Sequence, residues 1–82
     1  MSEQLPPEKL CVTTEFCLAT TLLCLGYPLV EVQKEKPRAI FSFERTTELD
    51  EAVQAFWRSE VVVEPKQWFN AQREIKSRLY SL

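Results

Sequence analysis

The chain has 82 residues, 45% of them hydrophobic and 27% charged, with a formal charge of −2, three cysteines, one glycine and no histidine. A chain of this length holds one small domain, which buries only roughly 60% of its unfolded surface and relies on every large side chain. Without histidine there is no Cys–His nucleophile pair, one glycine excludes a glycine-rich phosphate loop, and the slightly acidic balance is far from that of an obligate nucleic-acid binder.

Residues 1–8, which include Pro6 and Pro7, read as a flexible N-terminal tail, and residues 9–82 as a single domain. Residues 9–13 (KLCVT) suit a short strand whose apolar residues are covered from both sides. Thr13 or Thr14 then offers an N-cap for a helix over about 15–25, in which Phe16, Ala19, Leu22 and Leu23 recur at helical spacing. Almost no charge lies between Glu15 and Glu31, so this helix is expected to be buried on most sides or to face a partner. Gly26 follows at the left-handed position just past the helix end.

Residues 28–33 and 38–43 form the clearest strand pair, joined by a turn over 34–37. Simple alternation puts Val30 and Val32 on one side of the first strand, with Glu31 on the other. In the second strand it makes an apolar row of Ala39, Phe41 and Phe43 against Arg38, Ser42 and Glu44, a polar face that Ile40 interrupts. Thr46 or Thr47 caps the next helix, and Thr47 with Asp50 has the spacing of a shortened capping box. That helix spans about 48–58 with Leu49, Val53, Phe56 and Trp57 toward the core, while residues 61–63 (VVV) make a short strand or an extended connection.

The last helix, over 65–80, is the longest breaker-free stretch. Pro65 suits its first turn, where a missing N–H costs nothing. Trp68, Gln72, Ile75 and Leu79 repeat at helical spacing, and Phe69 and Ala71 widen the stripe. The outline is therefore β-α-β-β-α-(β)-α, a two-layer α+β domain with a short antiparallel or mixed sheet covered by helices.

Charge is unevenly spread. Residues 1–64 carry six Lys/Arg against eleven Asp/Glu, a net of −5, whereas residues 65–82 carry four against one, a net of +3. Lys66, Arg73 and Lys76 share one side of the last helix with Arg78 on its flank, a pattern able to grip phosphates or simply to form a solvated face. The aromatic pairs Phe56-Trp57 and Trp68-Phe69 each place adjacent rings about 100° apart around a helix, so one ring of a pair can lie at an edge. Tyr27, Trp57, Trp68 and Tyr80 are the candidate interface aromatics.

Cys11, Cys17 and Cys24 are spaced C-x5-C-x6-C, which is no compact metal knuckle, and they read as buried small apolar side chains. Glu44, Glu48, Asp50 and Glu51 fit a helix start better than a cation site. Neither a catalytic residue, a metal site nor a cofactor is expected. The longest apolar run, Phe16 through Leu25, is too short to cross a bilayer, and no basic leader is seen. Together with the odd cysteine count, this gives a cytoplasmic expectation with no membrane contact.

The segments TTEFCLATTLLCLGYPLV, AIFSF, ELDEAVQAFW and VEPKQWFNAQREIKSRLY carry a resemblance. Through Thr13, Phe16, Leu18, Ala19, Leu22, Gly26 and Tyr27 the opening is similar to a TxxFxLAxxLxxxGY pattern. Through Val63, Pro65, Phe69, Ala71, Arg73, Lys76, Ser77, Arg78 and Tyr80 the tail is similar to VxPxxxFxAxRxxKSRxY. Both resemble a family of small microbial and viral domains classed as a domain of unknown function. The resemblance covers about residues 10–80 and implies a stand-alone domain, often encoded near phage or mobile genes. It implies no activity.

The expected function is a non-enzymatic domain that binds a protein partner or assembles with itself. The alternative is a nucleic-acid-binding accessory protein that uses the basic side of the last helix.

Overall fold

The computed structural model describes residues 9–35 and 38–81. The expected tail over 1–8 lies outside these residues, as do positions 36 and 37 of the expected turn.

Three strands and three helices follow in the order β1 (Leu10–Thr13), α1 (Phe16–Cys24), β2 (Leu29–Glu35), β3 (Arg38–Glu44), α2 (Thr47–Trp57) and α3 (Pro65–Tyr80). The fold is α+β. The sheet has the order β1-β3-β2, and both outer strands run antiparallel to β3. β1 and β2 are thus parallel to each other, and the β2–β3 hairpin returns β3 into the gap between them. Residues 61–64 are a connection that adds no strand.

β3 is central because its residues have the most to bury. Phe41 and Phe43 are fully buried on the helix-facing side. Phe43 lies opposite Cys11 on one side and Leu29 on the other, while Phe41 lies opposite Thr13 and Val32. The Phe16 ring meets Phe41 edge-on at 6.1 Å, an arrangement that matches a ring's positive edge to its partner's negative face. Leu18, Leu22, Leu49 and Ile75 close the core from the helix layer.

The expected pairing of Val30 with Val32 on one side is corrected. Leu29 lies opposite Phe43 and Glu31 opposite Ser42, so Val30 is the extra residue of a β-bulge. The extra residue shifts the alternation by one, which puts Leu29 and Val32 in the core and leaves Val30 exposed. β2 also continues to Glu35, paired with Arg38, so the strands run closer to the turn than alternation alone suggests.

α1 buries Leu18, Ala19, Thr20, Thr21 and Leu22. Two threonines survive there because the Thr20 hydroxyl donates to the Phe16 carbonyl and Thr21 to the Cys17 carbonyl, both at 2.8 Å. At the helix start, Thr13 Oγ1 accepts from the Glu15 N–H, and Glu15 occupies the cap position without a side-chain bond. α2 is capped by Thr46, whose Oγ1 accepts from the Leu49 N–H at 3.1 Å. The Thr47–Asp50 capping box does not form, because Thr46 and not Thr47 holds the cap position; Asp50 pairs with Arg45 at 3.1 Å. α3 spans the residues its pattern predicts, with Pro65 in the first turn and Glu64 Oε2 accepting from the Gln67 N–H at 2.7 Å.

α1 and α2 end in the same backbone motif. Gly26 N–H donates to Leu23 O and Tyr27 N–H to Leu22 O, while Ser59 N–H donates to Phe56 O and Glu60 N–H to Ala55 O. Gly26 has φ 103° and Ser59 φ 59°, so one end uses the residue suited to positive φ and the other does not. A Cβ at Gly26 would meet nothing within 4 Å, which makes the penalty there purely one of backbone conformation. Gly26→Val is expected to cost about 1–3 kcal/mol, and Ser59→Gly to gain up to about 1 kcal/mol. Urea midpoints of the two variants check both signs.

Candidate functional site

Two surfaces collect the side chains that the core leaves over. The first lies where the end of α2, the 61–64 connection and the start of α3 meet α1. Trp57 ends α2 on its outward side and is 61% exposed, a correction to its expected place in the core. The turn at Ser59 follows one residue past the cap, so the chain reverses before Trp57 is covered. Phe56 supports the indole, with ring centroids 5.1 Å apart and planes at 84°. Together with Thr21, Ser59, Val61 and Val63 these rings line an open cavity of about 430 Å³, and none of the described residues in its wall is ionisable. Such a lining accommodates an apolar group, with the Thr21 and Ser59 hydroxyls as its polar side-chain groups.

Trp68 forms part of the support for this region. Its indole N–H donates to Thr21 Oγ1 at 3.2 Å, which ties α3 to α1 across 47 residues of sequence. The half-buried Trp68 therefore has its polar edge already occupied, whereas Trp57 does not donate within the described hydrogen bonds. Tyr27 is half-buried against the core, and Tyr80 is 74% exposed near the other end of α3. Arg78 reaches Leu29 from that same end, so Tyr27 and Tyr80 lie toward one end of the helix and Trp57 and Trp68 toward the other. The four expected interface aromatics do not form one patch.

The second surface is the outward side of α3. Lys66, Arg73 and Lys76 are exposed there. Arg78 stands apart from them, about 120° around the helix from Lys66. Its guanidinium Nη1 donates to the Leu29 carbonyl at 2.9 Å and clamps the end of α3 to the bulged start of β2. A charge-assisted bond of this kind, half-buried, is a structural contact. Phe69, expected in the core stripe, is 53% exposed and joins the outward side instead. The sequence signal for this was the spacing itself: Phe69 falls on the arc of Lys66 and Arg73, away from Ile75.

The cysteines separate by environment. Cys17 is exposed, contrary to its expected burial: it stands in the first turn of α1, one turn before the buried Thr20 and Thr21; Cys11 and Cys24 are half-buried. Burial raises the Cys11 thiol above its ordinary value, the nearby Asp50 charge adds to this, and Arg45 opposes it. A thiol held protonated is a poor nucleophile. Iodoacetamide near neutral pH is expected to modify Cys17 first and Cys11 last, as read by mass spectrometry. The same shift makes the fold lose stability as pH climbs past the ordinary thiol value, because only the unfolded chain then releases the proton. Among the described residues no group of three or more Cys, Asp or Glu side chains is placed to hold a metal ion, and no helix is long and apolar enough to cross a membrane.

The sequence model of one family, described as a domain of unknown function, matches residues 8–81. No curated protein and no solved structure matches the chain.

Proposed function

Because the chain belongs to the DUF5659 family of domains of unknown function, we propose from its geometry that it is a non-enzymatic interaction domain that binds a protein, a second copy included. Its contact surface is the groove at the end of α2, into which the partner inserts an apolar side chain against Trp57. The observation that carries this reading is the exposed Trp57 indole beside a cavity whose described wall residues include Phe56, Val61 and Val63 and none that is ionisable. Large rings left in solvent beside a concave apolar surface are the usual anchors of protein interfaces. Val62, 91% exposed on the adjoining connection, extends the apolar surface outward. The proposed setting of these contacts is cytoplasmic, and the proposed origin of so small a domain is near phage or mobile genes.

Trp57→Ala tests the reading. The ring is mostly exposed, so its removal is expected to change stability by no more than about 0.5–1 kcal/mol. Light scattering over a concentration series and pull-down from cells, each with wild type and variant, then report on association. A complex that forms with wild type and is lost in the variant supports the groove. A strictly monomeric chain that retains no partner, or a complex indifferent to Trp57→Ala, overturns it. Acrylamide quenching adds an independent readout, since Trp57 fluorescence becomes shielded only if the partner covers it.

A further inference from the structure

The outward side of α3 combines cations and rings in a way that the groove does not explain. Lys66, Phe69, Arg73, Lys76 and Tyr80 fall within an arc of about 80° and extend about 21 Å along the helix. All five are exposed. None of the three cations takes part in the ion pairs of the described residues, which are Arg45–Asp50 and Arg58–Glu60. Glu74 is the sole acidic residue of the helix and lies off this arc. Lys66 lies one turn before Phe69, Arg73 one turn after it, and Lys76 one turn before Tyr80.

We propose that this stripe binds single-stranded nucleic acid, with Lys66, Arg73 and Lys76 on successive phosphates and Phe69 and Tyr80 stacking on unpaired bases. Cations alone would suit any polyanion. The rings narrow the choice, because an exposed planar ring between cations matches a strand that offers a phosphate and a free base face by turns. A duplex keeps its bases stacked and offers such rings nothing comparable. An anionic bilayer would need the broad apolar side of the helix, and that side, with Ile75 and Ala71, is already buried in the core. Arg78 takes no part, since Leu29 holds it. The chain's acidic remainder keeps its overall attraction for polyanions weak and confines it to this one side.

Fluorescence anisotropy of a labelled oligothymidylate with the full chain at low salt tests the proposal. Log affinity is expected to fall with log salt at a slope of about −2, as for three phosphate contacts on a single strand. Changing Lys66, Arg73 and Lys76 together to Gln should flatten that slope. Phe69→Ala and Tyr80→Ala should each weaken binding about tenfold and leave the slope unchanged. Circular dichroism and thermal melts show whether these surface variants keep the fold. Absence of binding at low salt overturns the proposal, as does equal affinity for duplex, for polyglutamate or for phosphatidylserine vesicles. Binding that persists in both sets of variants also overturns it. Because none of these residues lines the groove beside Trp57, the Trp57→Ala result stands or falls separately.

Discussion

Phe43→Ala is expected to lower the unfolding free energy by about 3–5 kcal/mol, the range for removing a fully buried aromatic ring. Phe43 is completely buried on the central strand, with Cys11 and Leu29 as its cross-strand neighbours. Its ring therefore fills space that two strands and the helix layer share, and no single side chain can relax into the void. At about 0.05–0.15 kcal/mol per residue, a chain of this length has on the order of 4–12 kcal/mol of total stability. The variant should be largely unfolded at body temperature if wild type lies at the lower end of that range. Urea denaturation at low temperature is the measurement, with the midpoint falling and the slope preserved. A loss below about 1 kcal/mol would mean that the ring is not where the packing places it.

The second large effect is expected at Ile75, and it gains force from a comparison with Phe69. Ile75 is fully buried on the side of α3 that packs on α1, so Ile75→Ala should cost about 2–5 kcal/mol. Phe69, the larger side chain, is 53% exposed about one and two-thirds turns earlier, and Phe69→Ala should stay within about 0.5–1 kcal/mol. Side-chain size alone predicts the reverse order. Thermal melts of the two variants thus determine which arc of α3 faces the core, and with it whether Phe69 is free to act on the outward side. Comparable losses in both would remove Phe69 from the proposed stripe and return it to the core.

The two proposed contact surfaces are leftovers of packing. α3 is held by Ile75 in the core, by Trp68 on Thr21 and by Arg78 on Leu29, three attachments spread along its length. With its inner side so committed, the helix presents a straight outer face that needs no partner to be ordered. The groove at Trp57 has a different origin, since it exists because α2 stops at a serine-based reversal before its last ring is covered.

What could be read in the chain was whatever depends on neighbours within about one helical turn or along one strand. Pro65 and the apolar spacing marked α3, Gly26 marked the end of α1, the Thr46-Thr47 pair marked the start of α2, and alternation marked Phe41 and Phe43 as a pair. These rest on capping, backbone conformation and periodicity, which act locally. The exposure of Trp57 and Cys17 was not readable in that way, and that of Phe69 only from its place on the arc of Lys66 and Arg73. Each sits beside another residue of similar apolarity, and which of the two is buried depends on how the helix is rotated against the sheet. The bulge at Val30 and the reach of Arg78 to Leu29 likewise require β2, β3 and α3 to be already assembled. Sequence by itself therefore determined the elements, their ends and the α+β class, because short-range forces specify those. Only the tertiary structure decided which rings and cations remain in solvent, because the rotation of each element is set by contacts between residues far apart in the chain.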